Sequence, residues 1–210
     1  MDLSMMRTIA RRDLKDEDSG NYRWTNDELD RHIAHAVKEL AEAVPLPAKA
    51  TLPTTSGSRE IDISSLADRV MVAAVEYPVG RFPPQYQRFA LWGDMATLFG
   101  DEVPDGSEAT IYYGRLHTLD TQNSTIPTKL EDLVAVGAEG YAAVEWAIFA
   151  TNRVNIGGTM TPEAFLDWGK GKLRYFRQEL KRLGHKNRIR LSTLYKPGRS
   201  TVSQSTDYGP

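Results

Sequence analysis

Apolar residues recur every three to four positions at the two ends of this chain and every second position in its middle, with the period changing at Pro45 and again near Pro127. Leu3, Met6, Ile9, Ala10 and Leu14 predict a helix over 2–14, ended by Asp16-Glu17-Asp18-Ser19-Gly20. Thr25-Asn26-Asp27-Glu28 has the form of a capping box, in which Thr25 accepts from the first turn while Glu28 reaches back. A second helix should follow to about Ala43. Its stripe of Leu29, Ile33, Val37, Leu40 and Ala41 packs, and Asp30, Arg31, Lys38 and Glu42 lie mostly on the wet side. Tyr22 and Trp24 precede the cap, where rings staple the incoming chain to its helix; stacking on a ligand is the alternative.

From Pro45 the pattern is that of strands. Thr51-Leu52-Pro53-Thr54 through Gly57 is a loop or edge segment, 60–64 alternates, and 69–75 is rich in β-branched residues. Residues 85–92, then Gly93-Asp94, then 95–99, predict a hairpin, because glycine at the first turn position supplies the positive φ of a tight type II′ turn. Asp105-Gly106 turns the chain into a last strand over 109–117.

Helical spacing returns at Thr128-Lys129-Leu130-Glu131, a second capping box preceded by Pro127, and runs to about Asn152. Ala135, Gly137, Gly140, Ala142, Ala143, Ala147 and Ala150 narrow this helix, so neighbouring axes can approach closely and it should be central. Thr161-Pro162 starts another helix, with Phe165, Leu166, Leu173, Phe176, Leu180 and Leu183 as its apolar positions and Gly184 as its stop. Periodicity fades after Lys186. The fold class is therefore α+β: a mainly α-helical bundle (1–45 and 126–186), an inserted antiparallel β-module (46–125) and an extended C-terminal arm (187–210).

Composition adds limits. A chain of 210 residues can bury about 70% of its unfolded surface, and no continuous apolar run approaches the ~20 residues of a membrane span. Its start lacks the basic-then-apolar order of a signal peptide, so synthesis and residence in the cytosol are expected. Cysteine is absent, which excludes disulfides, thiolate nucleophiles and cysteine-held metals. The net charge of −2 conceals a strong polarity. Between Lys170 and Arg199 there are eleven Lys or Arg against one acid, Glu179, and everything else carries fifteen bases and twenty-seven acids. Such a chain should meet an acidic partner, or its own copies head to flank.

Catalytic signatures are not evident: there is no phosphate loop ending in Lys-Ser or Lys-Thr, no Gly-x-Ser-x-Gly elbow and no His-Glu-x-x-His helix. His32 and His35, with Asp27, Glu28 and Glu39 nearby, have a spacing that could bind a metal, but a solvated or interfacial helix face explains them as well. Asp62, Asp94, Asp101 and Glu102 are not paired as acid and base and suit turns and strand edges. Gly157-Gly158 is a turn signal. The stronger signal is Lys170, Arg174, Arg177 and Lys181, which share one flank of the last helix, with Lys172, Arg182, Lys186, Arg188 and Arg190 extending it. The alternatives for that flank are a solvated face, an acidic protein surface, or the phosphate backbone of DNA.

Two blocks carry a resemblance. One is Tyr22-Arg23-Trp24-Thr25-Asn26-Asp27-Glu28-Leu29 through Leu40 to Pro45. The other is Ile111-Tyr112-Tyr113-Gly114-Arg115-Leu116-His117, continuing through Ser124-Thr125-Ile126-Pro127, Leu130-Glu131-Asp132-Leu133-Val134 and Gly137-Ala138-Glu139-Gly140-Tyr141-Ala142 to Trp146. In order and separation they resemble the head-to-tail adaptor (connector) proteins of tailed double-stranded DNA phages. The resemblance implies a non-enzymatic virion protein without cofactor, made in the host cytoplasm and placed at the virion neck. It implies a ring, commonly of twelve copies, that docks beneath the portal protein, extends the channel for passing double-stranded DNA and receives a stopper or tail-completion protein. Mapped onto that picture, the arm bearing Arg188, Arg190, Leu191, Leu194, Tyr195, Lys196, Arg199 and Tyr208 is the candidate portal-docking segment, and acidic helix faces rather than the basic flank should line the channel. A nucleic-acid-binding regulator using the same basic helix is the alternative.

Overall fold

A computed structural model describes residues 1–100, 102–150 and 161–192, the last four by backbone alone. Among the described residues four helices flank and seven strands fill the middle: α1 (Leu3–Leu14), α2 (Asn26–Ala43), β1 (Leu46–Pro53), β2 (Glu60–Asp62), β3 (Arg69–Glu76), β4 (Tyr86–Gln87), β5 (Phe89–Trp92), β6 (Met95–Leu98), β7 (Glu108–Arg115), α3 (Thr128–Ala150) and α4 (Pro162–Ser192). The fold class is α+β, as the periodicity predicts.

α1 begins at Asp2, whose carboxylate accepts from Met5 N at 2.8 Å. The capping box of α2 forms in full: Thr25 Oγ1 accepts from Glu28 N at 3.2 Å, and Glu28 Oε2 accepts from Thr25 N at 2.7 Å. α4 opens with Thr161 Oγ1 accepting from Ala164 N at 3.1 Å and Pro162 in the first turn, where its missing N–H leaves no bond unmade.

The second capping box does not form as read. Thr128 is already helical, and Glu131, expected to reach back toward it, is buried and pairs with the Met1 ammonium at 2.5 Å. A second correction concerns α4, which runs through Gly184 to Ser192. Glycine stops a helix by adopting positive φ, and Gly184 is not among the residues that do. An interior glycine costs only about 1 kcal/mol relative to alanine, a deficit that the helix-forming Leu, Lys and Arg around it offset. Residues 187–192 therefore belong to the helix and not to an extended arm.

α3 lies at the centre, packed by α1, α2 and α4. Its main core joins Met6, Ile33, Leu40, Val134, Ala138 and Phe176 from all four helices. The small residues are used as the sequence suggests: a Cβ on Gly140 would lie 2.8 Å from Leu173 Cγ, and one on Gly169 would lie 2.9 Å from Ala143 Cβ. α3 is also long and apolar enough to cross a membrane by composition alone. The apolar-run expectation missed this because Glu131, Asp132, Glu139 and Glu145 interrupt the helix. In this fold the same apolarity faces three other helices.

All strands pair antiparallel, in a four-stranded sheet ordered β1-β7-β3-β4 and a three-stranded sheet ordered β2-β6-β5. Pro47 and Pro53 are tolerated in β1 because it is an edge strand. The strand predicted over 85–92 is divided at Arg88: β4 joins one sheet and β5 the other, so one stretch of chain ties the two together. Gly93 supplies the expected positive φ, +56°, at the β5–β6 turn. Ile61, Ile63, Val75, Leu98 and Ile111 form the core of this part.

His117 fastens the junction between strands and helices. Its Nε2 lies 2.9 Å from Val44 O, and its Nδ1 lies 3.0 Å from Thr125 O and 3.2 Å from Thr125 Oγ1. Either ring nitrogen can carry the donor proton, Nε2 toward Val44 O or Nδ1 toward Thr125 O. One buried ring thus links the end of α2, the segment after β7 and the approach to α3.

Candidate basic interface on α4

At 3.6 residues per turn, Lys170, Arg174, Arg177 and Lys181 fall within an arc of about 60° and span about 16 Å of helix axis, with Arg188 in line one step further on. All five are exposed. The helix holds them there because its opposite side is committed: Phe165, Leu173, Phe176 and Leu180 are buried against the bundle. Sequence and structure agree on this strip.

Two other cations on α4 have carboxylate partners. Arg182 pairs with Glu179 at 2.6 Å, and Lys172 donates to Glu139 at 2.8 Å. Among the described residues, Lys170, Arg174, Arg177 and Lys181 have no carboxylate within ion-pair distance. Arg177 instead lies 6.0 Å from the centre of the Tyr141 ring and donates to its hydroxyl at 3.3 Å. Tyr141 in turn donates to Glu39, and its own pKa is raised by burial and by that bond. Four exposed guanidinium and ammonium groups in a row, none with a carboxylate at ion-pair distance, favour an anionic surface and bring long-range attraction that weakens with salt.

Of the proposed docking residues, Arg188 lies on α4 with its side chain exposed, and Arg190 and Leu191 lie on the backbone of the same helix. Leu194, Tyr195, Lys196, Arg199 and Tyr208 are outside the described residues.

The remaining candidates disperse. His32 turns to Glu145, with Nε2 at 2.5 Å from Oε2, and burial lowers its pKa. His35 turns to Glu39 at 3.3 Å and stacks on Tyr141 with ring centres 4.2 Å apart. The two histidines therefore serve different contacts. Among the described residues no group of three metal-ligating side chains gathers. Asp62 accepts from Ser64 N, Asp94 pairs with Arg69 at 2.8 Å, and Glu102 pairs with Arg81 at 3.4 Å, as turn and strand-edge residues do. Asp101, Gly157 and Gly158 are outside the described residues.

Sequence reading missed a second surface. Phe82 is 97% exposed and Trp92 87% exposed, and Val79, Phe99 and Val103 are also open. Trp92 sits at the β5–β6 turn, whereas Phe82, Phe99 and Val103 sit on loops that Arg81 and Glu102 join. Open aromatic and aliphatic residues on the loops of the strand region are candidates for contact with a partner. Alternation gave no warning, because apolar residues in turns carry no period.

The chain matches no protein-family model and no curated protein.

Proposed function

We propose that the protein is a head-to-tail adaptor of a tailed double-stranded DNA phage. Copies form a ring beneath the portal protein, twelve being the number the resemblance implies. The ring extends the DNA channel and offers a platform to the stopper or tail-completion protein. It sits at the virion neck after synthesis in the host cytoplasm, and it has no catalytic role.

The observation that carries this reading is the unpaired basic strip of α4 on a chain that is otherwise acidic. A rigid helix presenting Lys170, Arg174, Arg177 and Lys181 to solvent suits an ordered protein contact, and the acidic remainder suits a channel wall from which DNA is repelled. The exposed aromatics of the strand region supply a second contact surface, as a protein held between two partners needs.

Deleting 196–210 is expected to leave the far-ultraviolet spectrum and melting unchanged while abolishing co-sedimentation with purified portal rings. Undiminished co-sedimentation would remove the arm from the account. The same strip also supports a regulator that binds DNA through phosphates. That alternative predicts tight binding of isolated protein to duplex DNA, falling steeply with salt.

A further inference from the structure

α3 buries one carboxyl completely at the middle of its length. Glu139 is 0% exposed; its Oε2 accepts from Lys172 Nζ of α4 at 2.8 Å, and its Oε1 has no donor. Asp13, in the last turn of α1, lies close enough to Glu139 to raise its pKa. Asp13 also lines a cleft with Leu14, Trp146, Phe165 and Trp168. A fully buried carboxylate with one ammonium on one oxygen and the exposed Asp13 carboxylate near it is costly; a proton on Glu139 removes the repulsion and turns the orphan oxygen into a donor.

We propose that Asp13, Glu139 and Lys172 form a proton-held latch that docks the end of α1 onto the α3–α4 pair, and that loss of the proton loosens this end and opens the aromatic cluster beneath it. The cluster is the satellite core of Leu14, Trp24, Leu29 and Phe165, with Trp146 and Trp168 at its margin. This device is independent of the adaptor reading.

Burial pushes the Glu139 pKa up to about 7; Lys172 opposes the shift and Asp13 reinforces it. The folded value lies above the unfolded one, so the stabilisation is complete in acid and is lost as pH rises through about 7. Other charged groups meet α3 elsewhere: His32 and Arg31 of α2 at Glu145, Glu39 of α2 and Arg177 of α4 at Tyr141, and the Met1 ammonium at Glu131. All of these remain in the variants below.

The test uses the full chain carrying Trp92→Phe, so that Trp24, Trp146 and Trp168 alone report, all three within the cluster. Tryptophan emission and amide exchange at the end of α1, corrected for intrinsic base catalysis, are followed from about pH 5.5 to about pH 8.5, the range that brackets neutral carboxyl titration. The expected result is a red shift and a several-fold rise in corrected exchange through neutrality. Glu139→Gln should flatten both, and Asp13→Asn should move the midpoint to lower pH by removing the repelling charge. A wild-type profile without a transition, or the same midpoint in Glu139→Gln, overturns the latch. Should Glu139→Gln fail to fold, Asp13→Asn at its exposed position decides, and an unmoved midpoint there overturns it equally.

Discussion

Arg11 illustrates how much of this bundle depends on single buried polar side chains. Its guanidinium meets Asp16 at 2.5 Å, Trp24 O at 2.9 Å and Asn26 Oδ1 at 3.0 Å, and lies 3.5 Å from the centre of the Tyr22 ring. Replacement by methionine leaves Asp16 buried and without its cation, so Arg11→Met should cost about 3–5 kcal/mol in urea unfolding. A loss below 1 kcal/mol would show that water replaces the guanidinium. His117→Ala removes the polar group between Val44 O and Thr125 O and should cost about 1–3 kcal/mol by the same measurement. Neither role was legible in the sequence. Arg11 sits where periodicity places a helix surface, and the partners of His117 lie 73 and 8 residues away. Local hydrogen bonding was legible: Thr25 and Glu28 satisfy each other within one turn, so four letters suffice to specify the start of α2.

Among elements, the α3–α4 contact is the one whose chemistry the sequence displayed most openly. Glycine and alanine along α3 leave no other use for so narrow a helix, and the structure places Gly140 against Leu173 and Gly169. Gly140→Leu should force the helices apart and cost about 1–3 kcal/mol or more, whereas Gly171→Ala, with open space at its Cβ, should gain up to about 1 kcal/mol of helix propensity. Thermal melts of the two variants should move in opposite directions. Equal effects would mean that crossing distance does not limit α3. The sequence misled where an outcome depended on competition between elements. Nothing local divides residues 85–92 between two sheets at Arg88, and a lone glycine letter does not show that the helix formers beside Gly184 outweigh it.

For the molecule as a whole, charge is the organising feature. The cations of α4 stand apart from an acidic remainder, and aromatic loops open a second surface on the strand region. Reversing Lys170, Arg174 and Lys181 together to glutamate changes exposed positions with no ion-pair partner among the described residues, so stability should shift by less than about 0.5 kcal/mol per site. Attachment to portal rings should be lost. Retained attachment, read by co-sedimentation at moderate salt, would place the contact elsewhere. The most direct test of the account is electron microscopy of portal rings from the same virus, imaged with and without added protein. The account predicts a new ring of density coaxial with the portal channel, with copies that can be counted. Bare portal rings in the presence of excess folded protein would contradict it.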